Sequence, residues 1–336
     1  MRGKGVLFGL NYAHCKKGKL NGCINDVSNM SKYIQQKLHI PIDIYTDDVD
    51  TINTSHKGII NVLYKLAQET FTFDLDFVWI HYSGHGSNTK DISGDEADGM
   101  DEGLVPSDYE SSGLIIDDIL HKILAKFNPN TQILFICDAC HSGSILDLKY
   151  VWDTERTCKI DNSISLIPSK TILISGCMDE QTSADAFNAM GDGKYVGALS
   201  ASILKILLKK PEKIYNAFSF LNSIRKDLSN SGYKQFPCLT TNFDISDSCS
   251  LIPSMIYKKP TYSNHQHSEH SANQNNHQPG YHQRIQTQPC FQYVQPRINK
   301  LLPYSVMKQN NTHISPILKN NNGVQKKNMT FVGYYL

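Results

Sequence analysis

Two short stretches of the chain bring together side chains that could do covalent chemistry: HYSGHG at 81–86 and DACHSG at 138–143. Each follows a bulky apolar run and ends in a glycine-bearing turn, where a reactive side chain can reach a ligand. Cys140 lies three residues beyond Cys137, the last residue of one run, and His85 follows Gly84 at the end of the other. A thiolate can attack a carbonyl carbon while an imidazole takes the thiol proton and later protonates the departing amine. Cys140 and His85 suit those two roles. His81 still lies inside its strand and reads as a structural histidine, and Cys137 reads as an inert buried thiol.

Three other chemistries fit part of the pattern. Cys137, Cys140 and His141 spell CxxCH, the c-type haem attachment string, but no export signal accompanies it. A thioredoxin-like dithiol would place its first cysteine after a strand at a helix start, whereas Cys137 ends the apolar run. His81 and His85 have the i, i+4 spacing of a zinc pair, which shares one face only on a helix, and Gly84 among β-prone residues argues against a helix.

The elements that must position these residues alternate. Apolar runs at 4–12, 42–45, 75–82, 131–137 and 170–176 read as strands. Helical periodicity marks 24–38, closed by Pro41, and then 55–69, 116–127 and 195–208. This alternation predicts an α/β fold with a mostly parallel central sheet, helices on both faces, and functional residues at the carboxyl ends of its strands. Residues 87–113 are polar and acidic, and read as a long surface loop.

The 336 residues include 33 Lys and Arg against 32 Asp and Glu, so the net charge of +1 provides no overall field for nucleic acid or an anionic membrane. Neither is expected as a partner. No segment approaches the roughly 20 apolar residues of a membrane-spanning helix. Nine cysteines without regular spacing, and no signal-peptide pattern after Met1, predict reduced thiols and an intracellular, cytoplasmic location. From residue 255 onward the composition turns to Asn, Gln, His, Ser and Pro, with nine basic side chains and one acid, Glu269. Residues 1–254 therefore read as the folded domain, and 255–336 as a largely disordered basic tail whose default role is a solvated extension.

The two reactive motifs, in this order, resemble the caspase-haemoglobinase clan of cysteine peptidases, and DACHSG resembles the metacaspase form. FGLNY (8–12), LNGCIND (20–26), DGMDEGLVPSDYE (98–110) and SGCMDEQTSADA (175–186) resemble further family stretches, so the likeness runs over roughly residues 4–250. The short connection after Cys140 is similar to the type I arrangement, although the usual Pro/Gln-rich prodomain is not seen ahead of Met1. The resemblance divides the domain into a large-subunit part at about 1–148, a connection at about 149–169 and a small-subunit part at about 170–254.

What this implies is a caspase-like cysteine endopeptidase acting as a monomer on protein or peptide substrates. The backbone N–H groups of Gly86 and Cys140 would bind the oxyanion. Caspases hold an Asp side chain with arginines; here the corresponding pocket would contain Cys23, Asp26, Ser83 and Asp138, an acidic set that favours Arg or Lys before the cleaved bond. Taken alone, Asp26 reads as a helix N-terminal acid, and by the resemblance both acids become specificity residues. The acidic loop fails as an EF-hand, because the sixth position from Asp91 is Glu96 where that motif needs Gly. By the resemblance, a calcium activator would instead take Asp101, Asp117, Asp118 and Asp147, although Asp117 and Asp118 also suit the start of a helix. Lys149, Arg156 and Lys159 match the same specificity and are candidate self-cleavage sites. The rival class is a non-catalytic caspase-like scaffold, which usually loses one of the reactive pair.

Overall fold

The computed structural model describes residues 1–15, 18–90, 99–140, 142–154, 157–160, 166–176, 185–187, 189–245 and 249–253. The tail at 255–336 lies outside them. The first half builds β1 (Gly3–Gly9), α1 (Cys23–Lys37), β2 (Ile42–Thr46), α2 (His56–Thr72), β3 (Phe77–Ser83), β4 (Gly86–Lys90), β5 (Met100–Leu104), α3 (Tyr109–Ser112), β6 (Ile115–Ile116), α4 (Asp117–Leu124) and β7 (Gln132–Asp138). The second half adds β8 (Tyr150–Thr154), β9 (Thr157–Ile160), β10 (Lys170–Ser175), β11 (Asp185–Phe187), β12 (Tyr195–Gly197), α5 (Ala198–Lys209), α6 (Ala217–Asn230) and β13 (Cys238–Thr241).

Eight strands form the central sheet in the order β2-β1-β3-β7-β10-β13-β8-β9. The first five run parallel, and β13, β8 and β9 complete the sheet by antiparallel pairing. Parallel strands covered on both faces should be apolar throughout. β3 obeys this, with every residue from Phe77 to Ser83 buried. One core, between the sheet and α1, α5 and α6, holds Val27, Met30, Trp79, Leu199 and Phe220; the other, beneath α2 and α4, holds Ile59, Leu66, Ile80, Leu120 and Phe135. Each such fully buried aliphatic or aromatic side chain contributes about 1.5–3 kcal/mol. The helices start on local signals: the Ser55 side chain accepts from Gly58 N–H at 3.1 Å to cap α2, and Asn216 accepts from Ser219 N–H at 2.7 Å to cap α6.

The expected surface loop at 87–113 needs correction. Its described part contains β4 and β5, which pair with each other and, through β5, with β6 in a small antiparallel sheet, and residues 101–106 are buried. The acids Asp101 and Glu102 are 5% and 2% exposed, so their charge marked a polar interior and not a solvated surface. The connection after Cys140 likewise contributes β8 and β9 to the main sheet. Among the described residues, no helix is long and apolar enough to cross a membrane.

Candidate active site

The carboxyl ends of β1, β3 and β7 lie side by side, with Ser83 in register with Gly9 on one side and Asp138 on the other. β3 therefore delivers His85, and β7 delivers Cys140, to the same edge of the sheet. The two turns touch: Gly84 N–H donates to the Asp138 carbonyl at 3.3 Å, and a side chain on Gly86 would sit 1.9 Å from the Cys140 carbonyl oxygen. Both Cys140 and His85 are partly exposed. Cys137, by contrast, is fully buried inside β7, and burial pushes its thiol pKa up, which makes it a poor partner for dithiol exchange.

A ring nitrogen of His85 meets a backbone carbonyl: Nε2 lies 2.6 Å from the oxygen of Gly18. A carbonyl can only accept, so Nε2 carries a proton. Behind the imidazole, Tyr12 and Tyr82 place their hydroxyls 3.0 Å apart in the interior, and Gly84 leaves room for them, since a Cβ there would come within 2.8 Å of both. Burial raises both phenol pKa values well above the usual range, so the two hydroxyls stay protonated. His81 is 0% exposed, and burial pushes its pKa down to about 3; its Nε2 lies 3.1 Å from Ser200 Oγ. It is a neutral core histidine, as its place inside the strand predicted.

The acidic set converges in part. Asp26, in the first turn of α1, accepts from Ser83 Oγ at 2.7 Å and from Gly197 N–H at 2.9 Å. Asp138 accepts from Ser200 N–H at 2.9 Å. Both carboxylates are 3% exposed, and a Cβ on Gly197 would fall 2.1 Å from Asp138 Oδ2 and 2.8 Å from Asp26 Oδ2. Cys23, one turn before Asp26, is also buried and donates its N–H to Asn11 Oδ1 at 3.0 Å. The two acids thus meet beneath the start of α5, where unpaired helix N–H groups favour negative charge. Gly197 and Ser200 carry no sequence motif that would have pointed to this; their partners lie 171 and 62 residues away.

The four expected calcium ligands come from neighbouring segments. Asp117, 1% exposed at the start of α4, accepts from Glu102 N–H at 2.7 Å, and Glu102 in turn accepts from Ser144 Oγ at 2.8 Å. Asp147, at a positive φ of 48°, donates its N–H to the Ser144 carbonyl at 2.7 Å. Asp118 is ion-paired with Lys122 at 2.7 Å, and Asp101 is buried on β5. Among the described residues, no group of three or more His, Cys, Asp or Glu side chains converges to hold a metal ion. The donors are hard oxygens of the right kind on adjoining segments, and a cation would have to draw them together. Of the candidate cleavage positions, Lys149 is partly buried against the Tyr150 ring, Lys159 is exposed on β9, and Arg156 lies outside the described residues.

A thiol and an imidazole thus stand on the turns that follow two adjacent parallel strands of the α/β sheet. Residues 3–149 match the family model for the metacaspase, peptidase C14 domain. The chain is 32% identical over 304 residues to Metacaspase-1 of Candida glabrata, covering 75% of each protein. Its identity to Metacaspase-1A of Aspergillus niger is 32% over 289 residues, covering 70% of this chain and 69% of that one. The chain belongs to the metacaspase family. A solved Geobacter sulfurreducens protein, GSU0716, shares the fold with a TM-score of 0.51 at 24% identity, covering 73% of this chain and 95% of that one.

Proposed function

We propose that the chain is an endopeptidase that cuts after Arg or Lys with Cys140 as nucleophile and His85 as general base and acid, and that calcium stimulates it. The observation that carries this reading is the meeting of the β3 and β7 turns beside a buried pair of carboxylates. Nδ1 of His85 takes the thiol proton, the thiolate adds to the scissile carbonyl, and the protonated ring then gives its proton to the leaving amine. The N–H groups of Gly86 and Cys140 receive the oxyanion. A guanidinium or ammonium would add a charge-assisted bond to Asp26 or Asp138.

Peptides differing only in Arg, Lys, Gln or Asp before the cleaved bond test the specificity directly. The wild-type protein should prefer Arg and Lys; a preference for Asp would overturn the acidic-pocket reading. A second reading treats Asp138 as a structural acid at the α5 start, because Ser200 N–H already bonds it. Asp138→Asn separates the two, since the amide keeps an acceptor for that N–H. On the specificity reading, kcat/KM for the Arg peptide falls about 10- to 100-fold, corresponding to about 1.5–3 kcal/mol, while the Gln peptide is little affected. On the structural reading both peptides change alike and the thermal midpoint falls.

Calcium would tie β5, the α4 start and the loop after Cys140 together, acting on conformation and not as a Lewis acid. Asp101, Asp117, Asp118 and Asp147 would provide the oxygens. Activity should rise at roughly millimolar calcium, the weak end of oxygen-ligand sites, and magnesium should substitute poorly because it demands tight octahedral geometry. The double variant Asp117→Asn, Asp118→Asn retains oxygen acceptors for the Glu102 and Asp118 N–H groups, so its circular dichroism should stay native while stimulation is lost. Undiminished stimulation would place the cation elsewhere, and full activity in chelator would remove it from the mechanism. Activation would also permit self-cleavage after Lys149, Arg156 or Lys159, which the Cys140→Ala protein should resist.

A further inference from the structure

Tyr12 lies three residues beyond β1 and is 1% exposed. Its backbone is in the left-handed region at φ 54°, which is uncommon for a bulky residue and persists only where the surroundings enforce it. The enforcing group is Asp47: one of its oxygens accepts from Asn11 N–H at 2.9 Å, and the other accepts from Tyr12 N–H at 2.5 Å. The conformation turns the Tyr12 ring onto the His85 imidazole, with centroids 4.7 Å apart and planes at 33°. The same side chain reaches past the ring, where its hydroxyl accepts from His85 N–H at 2.8 Å and donates to the Val105 carbonyl at 2.7 Å. Val105 N–H in turn donates to the His85 carbonyl at 3.1 Å, and Tyr82 donates to that carbonyl at 3.0 Å.

We propose that Tyr12 is a positioning residue for the catalytic imidazole. Its ring fixes the plane of His85 and its hydroxyl fixes the backbone from which His85 projects. The Gly18 carbonyl holds Nε2 of the ring. The Tyr12 face lies against the ring from a second direction and limits its tilt. Packing and a shared hydrogen bond thus act on one residue from one side chain, and the strained backbone at Tyr12 is what brings both to bear. This inference rests on the reading of His85 as the base.

The test uses the full chain carrying Tyr12→Phe, Tyr12→Leu or His85→Ala, with steady-state kinetics on the Arg peptide. It also follows the pH dependence of Cys140 alkylation by iodoacetamide through the mass of the Cys140 peptide. Loss of the ring in Tyr12→Leu should lower kcat about 100-fold with KM changed less than about twofold, the penalty of a misplaced catalytic group. Tyr12→Phe keeps the ring and should recover part of this, to about 10-fold below wild type. The alkylation profile of Tyr12→Leu should move toward that of His85→Ala, which a purely structural role would not produce. Should Tyr12→Leu fail to fold, Tyr12→Phe, which removes one hydroxyl and no volume of consequence, decides alone. Wild-type kcat and alkylation in folded Tyr12 variants, with His85→Ala inactive, would overturn the positioning role and leave the base assignment standing. An active His85→Ala would instead remove the base assignment itself.

Discussion

Cys140→Ala and His85→Ala should each lower turnover by at least about 10⁴-fold while leaving the thermal midpoint and circular dichroism close to wild type. On the proposed mechanism alanine at 140 removes the nucleophile, and Cys137 cannot replace it, being sealed within β7 with its pKa raised by burial. On the same mechanism alanine at 85 would leave the thiol without its proton acceptor and the leaving amine without its donor. If the two residues work as one unit, as proposed, the double variant should be no worse than either single one. Both side chains are partly exposed at the sheet edge, and their truncation opens no core cavity. Hydrolysis by either variant within tenfold of wild type, after contaminating peptidase has been excluded, would sink the assignment. Cys137→Ala, in contrast, should remain active.

Gly86→Ala should reduce kcat by about 10³-fold, the loss expected when an oxyanion donor is misplaced. The reason is steric. A Cβ at this position would stand 1.9 Å from the Cys140 carbonyl oxygen and 3.1 Å from its carbon, and backbone atoms cannot move aside as a flexible side chain can. Relief requires the β3 and β7 turns to part, which displaces the proposed nucleophile and its oxyanion donors together. KM should change less than kcat, because the interaction lost is made chiefly in the transition state. Turnover near the wild-type level would show that the two turns do not act as one rigid unit.

Much of the active edge was legible because the strands that build it are almost wholly apolar. FVWIHY and ILFIC leave no doubt where β3 and β7 run, and His85 and Cys140 each lie three residues beyond them. Reading failed where burial was not apolar. β5 carries Asp101 and Glu102 into the interior, and acids in a Gly-containing segment signal a loop to any rule based on hydropathy. α6, with sequence AFSFLNSIRKDLSN, dilutes its buried Phe218, Phe220, Leu221 and Ile224 with Ser and Asn, and β13 is only four residues long. Tyr12 was unreadable for another reason: its significance lies in Asp47, Tyr82, His85 and Val105, which are 35 to 93 residues away in sequence. Packing against distant segments leaves no local periodicity to detect.

The strand order has a consequence for what a broken backbone would do. β7 precedes the Lys149–Ile160 stretch in the chain and β10 follows it, yet the two are neighbours in the middle of the sheet, in register from Lys170 with Gln132 to Ser175 with Cys137. Hydrolysis of a peptide bond anywhere in that stretch would therefore release no fragment. The two pieces would stay joined along an interior seam of parallel hydrogen bonds with a core on either side, and would behave as a single particle until a denaturant separated them. In this architecture severing the chain is a change of connectivity at the periphery, and the edge formed by the β1, β3 and β7 ends, all on one side of the seam, keeps its frame.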